Sequence, residues 1–195
     1  MPRTMATDIT AAFSGLRERL DSEDFLLGRG LANEVALYIL PYDPARENEV
    51  RAKTADLVAD SQAGKLRAAV HEANLWRIFE QISTEPRDVL SKYAQLEERR
   101  GSEALLDRIQ KRNGPEDYVA AMGSEPHEPG RDVLLITGVG QVYPFIRAHQ
   151  VLSAVQPVIS NVPVVMLYPG AYDGQSLKLF NCFIDDNYYR AFSLL

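Results

Sequence analysis

Two apolar runs with a helical pattern between them constrain this chain more than any other feature. Residues 133–136 and 162–167 are apolar throughout, and residues 144 to about 155 space their apolar side chains as a helix does. A strand whose neighbouring positions are all apolar is covered on both faces, which is the condition of a parallel sheet. Strand, helix, strand in so short a span calls for a right-handed crossover. Helices on both faces of a mostly parallel sheet follow.

The rest of the chain fits that frame. Ile9, Phe13, Leu16 and Leu20 form the stripe of a first helix, with Thr7 as its expected N-cap. Residues 36–40 read as a short buried strand ended by Pro41. Asp43-Pro44 then starts a helix running to about Ala59, burying Val50, Thr54, Leu57 and Val58. Residues 66–71 give an alanine-rich second strand. Asn74 caps a helix that buries Leu75, Ile78, Phe79 and Ile82.

A polar, helical middle follows, with stripes at Val89, Tyr93, Leu96 and at Leu105, Leu106, Ile109, and a linker at 123–130. The expected fold class is therefore α/β, a three-layer sandwich with a mostly parallel sheet of about four strands. A helical excursion over 85–130 separates strands two and three. At 195 residues, the chain suits one domain, 1–195.

The turn after the third strand, Thr137-Gly-Val-Gly-Gln-Val-Tyr-Pro-Phe-Ile-Arg-Ala-His149, is where α/β proteins hold anions. Gly138, Gly140 and Gln141, with Asp173 from the expected turn over 168–174, form a candidate ligand turn. Tyr143 stands where a dinucleotide site has its third glycine, and no Walker-type lysine exists. A short helix is expected near 176–180. His149 lies on the stripe of Phe145 and Leu152, so it reads as a partly buried structural histidine. His71, His127 and His149 are scattered, and neither His71-Glu72 nor His127-Glu128 completes H-E-x-x-H. No metal and no cofactor are expected, and no catalytic constellation is assigned.

Nine of the seventeen aromatic residues lie in 131–195, where four basic and four acidic side chains cancel. Tyr188, Tyr189 and Arg190 have the composition of a protein–protein hot spot. The net charge of −6 therefore belongs to residues 1–130 and disfavours direct nucleic-acid binding. No apolar run is long enough to span a bilayer, and Cys182 stands alone. A reducing cytoplasm is the expected compartment.

Four blocks taken in order carry a family resemblance. They are Asn33-Glu-Val-Ala-Leu-Tyr-Ile-Leu-Pro-Tyr-Asp-Pro44, the Thr137–His149 segment, Pro169-Gly-Ala-Tyr-Asp-Gly-Gln-Ser-Leu177, and Asp185-Asp-Asn-Tyr-Tyr-Arg-Ala-Phe192. Together they resemble the BrxB family of bacterial BREX anti-phage systems, most densely after Asp132. The resemblance implies an adaptor without an established reaction, docking a PglZ-type phosphatase-like protein. A BrxC-type ATPase and a PglX-type DNA methyltransferase are companions in such systems. The second reading is a nucleotide- or phosphate-ligand sensor or enzyme, with its site between the Gly138–Gln141 and Tyr168–Gly174 turns.

Overall fold

The centre of the sheet is built from segments that are buried at every position. These are β1 (Leu37–Tyr42), β3 (Asp132–Thr137) and β4 (Val164–Tyr172). The computed structural model describes residues 5–29, 36–84, 89–123, 127–185 and 191–195. With β2 (Ala69–Asn74) and β7 (Phe192–Ser193), these strands form a parallel array in the order β2-β3-β4-β1-β7. Two short strands, β5 (Leu177–Leu179) and β6 (Phe183–Asp185), extend the end of β4 in antiparallel pairing. The class is α/β as expected, with seven strands among the described residues rather than about four. The extra strands are two or three residues long, too short to show periodicity.

Successive residues of each strand serve opposite faces, and the two faces hold two cores. Val133, Leu135, Val165 and Leu167 pack with α1 (Ile9–Leu20), α2 (Glu23–Leu26) and α3 (Glu47–Gln62). Leu134, Ile136, Val164 and Met166 pack with α4 (Leu75–Thr84), α6 (Pro115–Met122), α7 (Val139–Val142) and α8 (Ala148–Val155). The long helix α5 (Val89–Arg112) breaks at Gly101, where φ is +83°. Helices α5 and α6 are the excursion expected over 85–130, between the second and third strands.

Several boundaries differ from the sequence reading, each for a local reason. Asp8, not Thr7, caps α1, its carboxylate accepting from Ala11 N at 2.9 Å. Strand β1 runs through Pro41 to Tyr42, because β7 pairs only with Tyr38 and Ile39. Pro41 therefore lacks a donor only where no ladder strand stands. Its carbonyl accepts from Ala6 N at 2.8 Å. Asp43 caps a single 3₁₀ turn, Pro44–Arg46, and α3 continues past Ala59 to Gln62 with Val58 only partly buried. Strand β2 begins three residues later than expected, in the register that pairs Ala69 with Asp132.

The helix expected from Pro144 begins four residues later, at Ala148, and a separate one-turn helix precedes the proline. The one-turn α7 stops at Val142, and α8 starts after Arg147, whose N–H donates to the Gln150 side chain at 3.0 Å. The helix expected near 176–180 is β5. Strand β4 does not turn at Tyr168 but continues to Tyr172, where Asp173 reverses the chain. The Asp173 carboxylate accepts from Gln175 N, Ser176 N and Ser176 Oγ, which folds the hairpin.

Candidate functional site

Strands β1 to β4 end on one side of the sheet, and their following segments leave in different directions. Helix α3 turns onto one face, whereas α4 and α7 turn onto the other. The divergence opens a cleft of about 450 Å³ at the carboxyl ends, where open α/β sheets hold ligands. Tyr42, Glu72, Thr137 and Leu167 come from the strands, and Glu47 and Arg51 from α3. Arg77 and Glu80 come from α4.

The polar groups of the cleft are partly committed to each other. Thr137 Oγ1 donates to Glu72 Oε1 at 2.7 Å, tying β3 to β2. The Tyr42 hydroxyl donates to Glu47. Burial, then the Glu47 negative charge, pushes the Tyr42 phenol far above its ordinary value, so it stays a protonated donor. Three glutamates face two arginines, a lining that does not favour a bare phosphate.

Of the four candidate ligand residues, the fold brings two into this cleft. Gly138 and Gln141 line it. Gly138 has φ +73°, and a Cβ there would lie 2.9 Å from Asn74 Oδ1 and 3.2 Å from Trp76 N. The space a phosphate cradle needs is thus filled by the Asn74 side chain, which caps α4 by accepting from Arg77 N at 3.1 Å. Gly140 lies on another face of α7, where a Cβ would meet the Phe180 ring at 2.8 Å and Pro169 at 3.1 Å. Asp173 is spent in the hairpin turn.

The two turns singled out from the sequence do approach each other, but what lies between them is apolar. A pocket of about 370 Å³ is lined by Val139, Tyr143, Ile146, Tyr168, Leu179 and Phe183. Arg147 and the exposed Cys182 also border it. Phe183 is 50% exposed and stands 5.2 Å from the Tyr143 ring. The candidate partner residues Tyr188, Tyr189 and Arg190 lie outside the described residues. His149 is partly buried, as expected.

Sequence reasoning missed one convergence. His71 on β2 and His127 ahead of β3 are scattered along the chain but meet in space, ring centroids 5.3 Å apart. Asp132, buried at the start of β3, brings a carboxylate oxygen 3.4 Å from His71 Nε2. Only the β2–β3 register reveals this group, and no spacing motif encodes it.

These features define a three-layer α/β protein with a polar cleft at the strand ends and an apolar pocket behind α7. The particular family comes from comparison with known proteins. The family model described as "BREX protein BrxB" matches residues 71–194. The chain is 35% identical to a BREX protein BrxB of Bacillus cereus (strain H3081.97), covering 92% of this chain and 97% of that one. It is 27% identical to a BREX protein BrxB of Escherichia coli O9:H4 (strain HS), covering 93% and 89%. The chain belongs to the BrxB family. No solved structure matches it.

Proposed function

We propose that this chain is a non-catalytic interaction subunit of a BREX phage-defence assembly. It docks a PglZ-type phosphatase-like protein, and a BrxC-type ATPase is a further contact. Family membership supports the setting. The observation that carries the docking role is the apolar pocket with the half-exposed Phe183 beside it. Aromatic side chains beside an arginine, around a concave apolar surface, are the composition of an interface anchor. In sequence, β6 is followed directly by the segment that carries Tyr188, Tyr189 and Arg190, the aromatic and arginine residues singled out for partner binding.

Co-expression with the PglZ-type protein should give a complex that co-elutes on size exclusion. Phe183→Ala, Tyr189→Ala and Arg190→Ala should each weaken it by roughly 2 kcal/mol or more. Failure to form a complex with any component of the system overturns the reading. Undisturbed co-elution of the folded variants moves the interface away from this pocket.

The polar cleft at the strand ends favours a second reading, a ligand sensor. A ligand bound only by the native state at 100 times its Kd stabilises it by about 2.7 kcal/mol. Thermal melts across nucleotides and inorganic phosphate, with and without magnesium, test this directly. A flat response across the series rejects it.

A further inference from the structure

We propose that His71, His127 and Asp132 form a binding site for a zinc-class divalent cation at the amino-terminal rim of β2 and β3. Each side chain offers one ligand atom, and the three atoms lie within 4.8 Å of one another. Two ligands about 2.0–2.2 Å from a tetrahedral ion are about 3.3–3.6 Å apart. His71 Nε2 and Asp132 Oδ2 already stand at 3.4 Å. To close the remaining separation, which is at most 4.8 Å, the imidazoles would have to turn about their side-chain torsions.

The surrounding structure holds the three ligands in place. Asp132 is 6% exposed, and its Oδ2 accepts from Glu128 N at 2.8 Å, which fixes the carboxylate beside His71. Asp132 N and Arg131 N both donate to Glu128 O, at 2.9 and 3.3 Å, closing the turn that brings His127 over the strand ends. Asn161 Nδ2 donates to His127 O at 3.0 Å and pins the same turn from the far side. Arg131, the nearby cation, is engaged by Glu128 Oε2 at 2.7 Å. Such outer partners orient the ligands of a metal site.

Two imidazoles and a carboxylate suit zinc among the common divalent ions, whereas magnesium and calcium prefer all-oxygen sets. Three protein ligands leave one coordination position open. Because His71 is about half exposed, on edge strand β2, that position faces solvent. The bound ion would accept a water, or a carboxylate or phosphate oxygen from another molecule.

The test uses the full chain, free of affinity tag and treated with chelator. Zinc is titrated by calorimetry, and cobalt by its visible absorption as a spectroscopic stand-in. The expected result is one ion per chain. His71→Gln and His127→Gln should each weaken binding on the order of 100-fold. His149→Gln, which alters the histidine outside the cluster, should leave it unchanged. Circular dichroism of each variant confirms folding, and the exposed His71 tolerates change where the buried Asp132 need not. Absence of saturable binding overturns the proposal, as does stoichiometric binding retained in the His71→Gln/His127→Gln double variant.

Discussion

Glycines in this chain have opposite reasons for being there, and substitution separates them. Gly170 lies in β4 at φ +153°, and a Cβ there would lie 2.1 Å from the Lys178 carbonyl oxygen of the paired strand β5. Backbone cannot swing aside as a side chain can. Gly170→Ala should therefore cost at least the upper part of the overpacking range, about 3 kcal/mol. For a chain of this length that lowers Tm by about 6–12 °C in a thermal melt. At Gly15, within α1, an added Cβ would meet nothing within 4 Å. Gly15→Ala should stabilise by about 0.5–1 kcal/mol through helix propensity. At this scale the sequence was legible where a residue type has one dominant use. The Gly138 turn was readable as a strand-to-helix turn, but not that Asn74 fills it. Asp173 was readable as a turn residue, but not that three donors from Gln175 and Ser176 would occupy it.

Elements were legible in proportion to their burial. Strands β3 and β4 lie in the middle of the sheet, so both faces demand apolar side chains and the pattern announces itself. Strand β2 lies at an edge, with an irregular mixture of buried and exposed positions, and its register comes from β3 instead. β5 and β6 are too short to announce themselves and rest on hairpin pairing with β4, whereas β7 owes its existence to β1, far back along the chain. One contact between elements gives a clear prediction. Asn113 Nδ2 donates to Ser83 Oγ at 2.7 Å, joining the end of α4 to the residue just after α5, with both side chains buried. Ser83→Ala leaves that amide donor buried and unsatisfied, at a cost of about 1–3 kcal/mol. The midpoint of denaturant unfolding should fall with little change in slope. A variant that melts like the wild type would mean the Asn113 amide had found water or another acceptor.

Charge belongs to the whole molecule. The net charge of −6 comes from residues 1–130, and the lining of the strand-end cleft repeats the bias, with three glutamates against two arginines. Duplex DNA binding draws most of its affinity from lysine and arginine against phosphate. The isolated chain should therefore pass through immobilised duplex DNA at physiological ionic strength. Retention that falls steeply with salt would contradict this. Among the described residues no helix is long and apolar enough to cross a membrane. The candidate site was the least legible level of all. The apolar pocket joins side chains from α7, the α7–α8 turn, β4, β5 and β6, and the His71, His127 and Asp132 group spans two strands and a loop. Such groupings exist only once the sheet has its order.

That order also determines when the molecule can be finished. Strand β1 begins at Leu37, yet its two ladder neighbours are β4, beginning at Val164, and β7, at Phe192. The strand synthesised first waits for partners synthesised much later. Leu194 N donates to Ile39 O at 3.0 Å, so even the outermost of these backbone bonds reaches back across most of the chain. Pairings this distant in sequence form late, since loop closure must precede any gain from contact. During translation, an apolar β1 is thus left without its sheet until β4 and then β7 have emerged from the ribosome, and their arrival is what permits the fold to close.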